Sequence, residues 1–362
     1  MKRHILTTIL LLAAALGSTA KESATDSLRL AGCDYVYTPE MRKLTPAPKG
    51  YKPLAIQHYG RHGARYCWQS DLYLNIRDTL RKADSLGLLT PDGVRYRTSF
   101  ERLYPILAYH EGELSRKGWA QHKAIAKVMY KSFPEVFKGS QGVVANSSNA
   151  LRCVMSMASF CLSLSDCNPD LAIREVTGRN WYHGVIPNSR ENPFARECEI
   201  FNLGYEFSPD YLMDNYYATE DVLSKLFTDP GAVVDKPRQS DFVEDLYFFA
   251  NGMQSIDTDE SFSWIFTEEQ RFKLGEIDNY DCYESAWNRR VVFLPILEDI
   301  IARGDAHIAQ SRKGADLRFG HDTCAIPLMM LFGINFNLYF LILIGKFKTA
   351  LKSSELWCFL SI

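Results

Sequence analysis

Charge of either sign is in short supply as a net quantity. The chain has 41 Lys and Arg against 43 Asp and Glu, a net charge of −2. Without a basic excess it lacks the footprint of a nucleic-acid binder, so any anion site must be a local group of arginines. Long apolar runs are also missing. Ile5 to Leu16 and Phe336 to Ile344 are two apolar stretches, and each falls short of the roughly 20 residues needed to span a bilayer. No stable membrane anchor is expected. Nine cysteines are present, yet there is no CxxC pair and no Cys/His spacing that suits zinc. No metal or other cofactor is expected, because the arginines named below already supply positive charge. There is no internal repeat or low-complexity tract. What remains is an ordinary globular composition, 46% hydrophobic and 23% charged. The length fits one large domain with an insertion, or two domains.

The first twenty residues read as a secretory signal. Lys2, Arg3 and His4 precede the apolar run, and Ser18-Thr19-Ala20 supplies small residues for cleavage. A periplasmic or secreted protein is expected, and disulfides are permitted there. An odd cysteine count leaves at least one unpaired or bonded to another chain. Cys67, Cys153 and Cys324 fall close to the site residues named below, and packing is the plainer reading of them.

The stretch Leu54 to Arg65 organises the rest. A buried strand over Leu54–His58 runs into a turn holding Arg61, His62, Gly63 and Arg65. Paired arginines match phosphate oxygens, and histidine can be a neutral nucleophile near neutral pH. The strand–turn–helix pattern then recurs twice. Gly142–Ala145 leads through Asn146–Asn149 to a helix over about 150–164 carrying Arg152. Leu317–Phe319 leads through Gly320–Thr323 to a helix from Cys324, with His321 and Asp322 in the turn. Pro327 fits that helix only within its first turn.

Between these motifs, residues 21–49 read as an arm over the surface, Gln69–Leu88 as a helix, and 89–112 as mixed. A helix capped by Ser115 carries His122 on its buried face. Residues 165–285, rich in aromatic and acidic side chains, read as a mostly helical cap inserted into the core. An amphipathic helix follows over 285–302. His58 and His183 are assigned to packing or pocket walls. The expected fold is α/β, a mainly parallel sheet flanked by helices with that cap inserted. The α/β core covers 21–164 and 286–334.

In open α/β sheets, ligands sit beyond the carboxyl ends of the strands, where helix N-termini favour anions. If the three strands are neighbours, their turns meet. The residue types then suit phosphomonoester hydrolysis. Arg61, Arg65 and Arg152 would neutralise the ester dianion, and His321 would bind a phosphate oxygen. His62 would attack phosphorus and carry the phosphoryl group. Asp322 would protonate the leaving alcohol, which favours acid pH unless its pKa is raised. Taken singly, each residue has a plainer structural role.

Arg61-His62-Gly63-Ala64-Arg65 resembles the RHGxR signature of the histidine acid phosphatases, which include phytases and multiple inositol-polyphosphate phosphatases. Ser147 to Arg152 resembles that family's Ser-Thr-x-x-x-Arg segment, and His321-Asp322 its C-terminal His-Asp pair. The resemblance spans about residues 50–335. It implies a phosphoric monoester hydrolase acting on small phosphate esters through a phosphohistidine, with a helical cap between the second and third motifs. Two departures stand out. Tyr66-Cys67 occupies the place where the family usually has proline. This RHGxRY start also occurs in the inositol-polyphosphate group, but that group typically carries His-Ala-Glu in place of His321-Asp322. Inositol phosphates and sugar phosphates thus both stand as candidate substrates. The second departure is residues 335–362, which read as a tail unrelated to the family and leave the core expected to be less stable than its relatives'. A phosphate-ester binding protein without turnover is the alternative, and a mutase of the same superfamily is disfavoured by the signal segment.

Overall fold

The computed structural model describes residues 29–39, 47–139, 141–178, 185–186, 212–213 and 217–333. The segment 1–20 read as a signal, the tail 335–362, His183, Cys198 and Cys358 lie outside the described residues.

The chain opens with a 3-10 segment, Arg29–Asp34, followed by β1 (Ala55–Arg61). Helices α1 (Ser70–Ser85), α2 (Pro91–Leu107) and α3 (Arg116–Ser132) come next. Strand β2 (Gly142–Ser147), helix α4 (Leu151–Cys167) and strand β3 (Ala172–Thr177) continue the core. Then follow α5 (Thr219–Leu226), α6 (Gln239–Gly252), α7 (Glu268–Arg289) and α8 (Leu294–Ala309). Strand β4 (Gly314–Gly320) and α9 (Asp322–Leu331) close the described chain.

Local chemistry sets several of these boundaries. Thr90 and Ser115 cap α2 and α3 by accepting from the backbone N–H groups of Gly93 and Gly118. Thr267 and Gln270 form a reciprocal capping box at the start of α7.

The four strands form one all-parallel sheet in the order β1-β4-β2-β3. The three motif-bearing strands are thus neighbours, with β4 in the middle. All seven residues of β4 are buried, as expected for a parallel strand covered on both faces. One face packs Val143, Ala145, Leu317 and Phe319 against Met157, Phe160 and Leu164 of α4. The other sets Tyr59 against Ile296 and Ile300 of α8 and Leu328 of α9. On that side Asp316 accepts from Gln57 Nε2 at 2.7 Å and pairs with Arg303 at 3.2 Å, while Arg318 bonds Gln57 and Asp299. These buried charges are paired and hydrogen-bonded, the arrangement that low-dielectric burial requires.

The structure redraws several sequence boundaries. β1 continues to Arg61 and β2 to Ser147, because both segments keep pairing with β4. Residues 91–107 form a full helix, started by Thr90 and Pro91. β3 lies inside the segment 165–285 read as cap, yet it pairs with β2 in the core sheet. Conversely, α1 and α2 share one hydrophobic cluster with α5, α6 and α7, joined through Tyr96, Phe100, Leu226, Phe249 and Leu274. The helix expected over 285–302 is interrupted by a 3-10 turn at Arg290–Phe293. Pro327 sits in the second turn of α9, where it withholds one N–H from the helix ladder. The Arg29–Asp34 segment is not a surface strap. Ala31 is buried and the segment packs against α7. Among the described residues, no helix is long and apolar enough to cross a membrane.

His58 and His122 are buried beside Phe160 and Phe319, as assigned to packing. Burial lowers the His58 pKa to about 3, aided by His122 and Arg318. Burial also lowers that of His122 to about 4. Both rings are neutral in the folded chain, whereas the unfolded chain takes up their protons below about pH 6.5. Stability should therefore be complete above that pH and decline as pH falls toward 4 and 3. From pH 7 to pH 5 the expected loss is about 2 kcal/mol per histidine, measurable as a falling urea midpoint. His122→Gln should show a shallower pH slope. A midpoint that stays flat across this range would contradict the neutral assignment.

Candidate active site

The turn after β1 is held by backbone satisfaction and by two glycines. Gly63 N–H donates to Ser156 Oγ at 3.0 Å, and Ala64 N–H to Gln121 Oε1 at 2.9 Å. Ser115, besides capping α3, donates through both N–H and Oγ to the Ala64 carbonyl, at 2.9 and 3.0 Å. A Cβ on Gly63 would lie 2.5 Å from the Gly118 carbonyl oxygen. One on Gly118 would lie 2.1 Å from that of Ala64. Only glycine permits this backbone-to-backbone approach.

Two further bonds join the strand ends. His62 N–H donates to the Gly320 carbonyl at 2.9 Å, and Ser148 N–H to that of Phe319 at 3.1 Å. The ends of β1, β4 and β2 therefore meet at one edge. Arg152 enters from the first turn of α4, and Asp322 opens α9. The N-termini of both helices lie beside the cluster, adding oriented N–H groups.

Within it, His62 is 4% exposed and its ring lies 5.6 Å from that of His321, edge to face. His62 Nδ1 is 2.8 Å from the Gly63 carbonyl. A carbonyl can only accept, so Nδ1 carries the proton and Nε2 keeps its lone pair. Burial, then Arg61, drives the His62 pKa well below its usual value, against the pull of the Gly63 carbonyl. The ring is neutral and nucleophilic at Nε2.

His321 is oriented by the same logic. Arg152 Nη2, a donor, lies 3.3 Å from His321 Nδ1, which leaves Nε2–H for Ser148 Oγ at 3.2 Å. Burial, then Arg152, lowers the His321 pKa to about 4. Asp322 Oδ2 lies 2.8 Å from Arg61 Nε, and its Oδ1 accepts from Thr323 N–H at 2.8 Å. Burial alone would raise the Asp322 pKa, but Arg61, the Thr323 N–H, Arg65 and His321 outweigh it and bring it below the usual carboxylate value.

A cavity of about 570 Å³ opens on this cluster. His62, Arg65, Arg152, His321 and Asp322 line one end of it together. Arg61 is set apart, held against Asp322 and donating to the Cys33 carbonyl. Five of the six sequence-predicted site residues thus face the space, and the sixth backs Asp322. Cys67 and Cys324 flank the site as packing residues, while Cys153 Sγ bonds the Gly320 carbonyl at 3.2 Å. Ser148, which the sequence placed in the second motif without a role, orients His321. Sequence reasoning missed Ser156, Asp34 and Asp278. Asp34 Oδ1 lies 3.8 Å from Arg65 Nη2. Asp278, from α7, lines the cavity and has its pKa raised to about 7 by burial, then by Asp34, Asp281 and Asp322. No motif marks these three residues, since each acts through tertiary contact. Among the described residues, no three His, Cys, Asp or Glu side chains are grouped to hold a metal.

Removing Arg152 tests the electrostatics directly. In Arg152→Ala the His321 pKa should rise from about 4, followed by NMR titration of the ring. Binding of inorganic phosphate should weaken by roughly 10- to 100-fold, the loss of a charge-assisted contact of about 1.5–3 kcal/mol. An unchanged His321 titration would contradict the contact.

No protein-family model matches the chain, and no curated protein sequence matches it either. Solved structures do. The multiple inositol polyphosphate phosphatase of Bifidobacterium longum, in complex with inositol hexasulfate, has a TM-score of 0.65 at 16% identity. The match covers 84% of this chain and 81% of that one. The same enzyme in complex with phosphate gives a TM-score of 0.66 at 16% identity, over 85% and 80% of the two chains. The phytase from D. castellii gives a TM-score of 0.60 at 14% identity, over 85% and 68%. Together with the parallel sheet and its flanking helices, these likenesses show that the chain has the α/β fold shared by multiple inositol polyphosphate phosphatases and phytases.

Proposed function

We propose that the protein is an exported phosphomonoesterase of the histidine acid phosphatase type. The observation that carries this reading is a neutral His62 with a free Nε2 lone pair, set among Arg65, Arg152, His321 and Asp322 at the end of one cavity. Export rests on the order of charged, apolar and small residues in segment 1–20.

The groups divide the reaction between them. Arg65 and Arg152 hold the phosphoryl oxygens of the ester beside the His321 ring, and Arg61 adds positive charge from behind Asp322. His62 Nε2 forms the bond to phosphorus as the bond to the alcohol oxygen breaks. Asp322 gives that oxygen its proton. Water then attacks phosphorus, the P–N bond breaks, and Asp322 takes the water's proton. Phosphate leaves and His62 is neutral again.

Asp322 must start this cycle protonated, yet Arg61 favours its carboxylate form. A bound phosphate dianion acts in the opposite sense, because its negative charge beside Asp322 raises the carboxyl pKa. Acid pH serves the same step.

The rest of the cavity bears on the substrate. Asp34, Asp278 and Asp281 make one wall acidic, which opposes esters carrying several phosphates. Asp278 is neutral below about pH 7, so the wall loses charge as the medium becomes acid. Small monophosphates fit at any pH. Inositol polyphosphates, the compounds named for the Bifidobacterium enzyme, fit best under acid conditions.

Two measurements test this reading. With p-nitrophenyl phosphate at about pH 5, turnover should be present, and an alkaline quench should trap acid-labile phosphohistidine. His62→Ala should lose both, by at least about 10³-fold in kcat. Turnover surviving in that variant would sink the mechanism. Intact phosphate binding without turnover in the unsubstituted protein would establish the binding-protein alternative. Asp322→Asn should slow alkyl phosphates more than p-nitrophenyl phosphate, whose leaving group needs less protonation. For the wall, the kcat/KM ratio of phytate to p-nitrophenyl phosphate should fall between pH 5 and pH 8, and Asp278→Asn should flatten that fall. A ratio independent of pH in the unsubstituted protein would speak against the acidic wall.

A further inference from the structure

The Arg29–Asp34 segment and helix α7 face each other at the cavity wall. Gly32 has a positive φ of 52° and lies so close to α7 that a Cβ there would come within 2.7 Å of Asp278 Oδ2. The next residue, Cys33, lies beside Cys282 at the cavity wall, close enough for the two side chains to influence each other. Asp278 and Cys282 are one helical turn apart, so a single face of α7 receives Gly32 and Cys33 in succession. Both cysteines line the catalytic cavity, and both stand as thiols in the structure. Other cysteines near the site have different partners. The Cys153 thiol bonds the Gly320 carbonyl, and Cys324 is buried in the cluster that holds Tyr59.

The segment also grips the phosphate-site arginines. Arg61 Nη1 donates to the Cys33 carbonyl, and Asp34 Oδ1 lies 3.8 Å from Arg65 Nη2. Whatever fixes Cys33 fixes one partner of each arginine.

We propose that Cys33 and Cys282 form a disulfide that fastens the N-terminal segment to α7 and holds Arg61 and Arg65 in place for phosphate. The step is a two-electron oxidation by a disulfide oxidant. Each thiol gives up one proton and one electron, one S–S bond forms between the two sulfurs, and the oxidant's disulfide is reduced to two thiols. The export expected of the chain places it where such oxidants persist. The cross-link closes a very long loop, the case in which constraint of the unfolded chain stabilises most.

The test uses the full chain, equilibrated with glutathione disulfide or reduced with dithiothreitol. Free thiols are blocked by alkylation, and the protein is digested and mapped by mass spectrometry without reduction. The oxidised sample should yield a peptide pair joined through Cys33 and Cys282. Reduction should lower the Tm by roughly 5 °C or more and weaken competitive inhibition by inorganic phosphate several-fold. Cys33→Ser, Cys282→Ser and the double variant should match one another and no longer respond to the oxidant. Recovery of both cysteines as alkylated thiols in the oxidised sample, or of either joined to a different cysteine, would overturn the proposal. The peptide map does not depend on turnover, so it stands apart from the phosphatase reading. If the map shows the link but reduction leaves phosphate inhibition unchanged, the arginine-positioning part of the proposal is refuted.

Discussion

The contact of Arg61 with Asp322 is the interaction on which the site depends. It joins the end of β1 to the start of α9, and so closes one side of the edge where three strands finish. It also balances charge. Three arginines gathered around a buried histidine would repel one another, and Asp322 and Asp34 each stand beside one of them. The same cations hold His62 and His321 neutral by making a further positive charge unfavourable. A neutral imidazole with an available lone pair is thus a product of the surrounding charge as well as of burial.

Much of this was legible in the sequence, for physical reasons. The three strand–turn–helix passages carry apolar runs that end abruptly in polar, phosphate-suited residues. A parallel sheet collects its strand ends on one edge. His62, Arg65, Arg152, His321 and Asp322 could therefore be named before their adjacency was known, and they share one cavity. The strand ends were read short at His58 and Ala145 because the residues beyond are polar. Pairing with β4 keeps them extended, and tertiary context overrides local composition. β3 was missed for a related reason. Ala172–Thr177 is partly exposed at the sheet's edge and carries Arg174 and Glu175, so it shows no apolar run.

The division between core and cap was harder to read. Helices α1 and α2 follow β1 directly in the chain, yet they bury Tyr96 and Phe100 against Phe249 and Phe262 of the later segment. Sequence order gives no hint of such a cross-chain cluster. The roles of Asp34 and Asp278 are hidden in the same way. Each is an ordinary acidic residue until packing of the N-terminal segment on α7 brings them to the same cavity.

The close approach of Gly63 and Gly118 carries one more consequence. Where two backbones touch without side chains between them, there is no compliant layer to absorb sliding. The Arg61–Arg65 turn therefore moves only if α3 moves. Helix α3 is in turn fastened to α4, whose Ser159 and Ser163 hydroxyls donate to the carbonyls of Trp119 and Lys123. Helix α4 bears Arg152 near its start. His62 and Arg152 thus ride on one mechanical unit, coupled through a seam of two glycines. Any opening of the cavity has to come from its other wall, where the cap helices and the N-terminal segment meet.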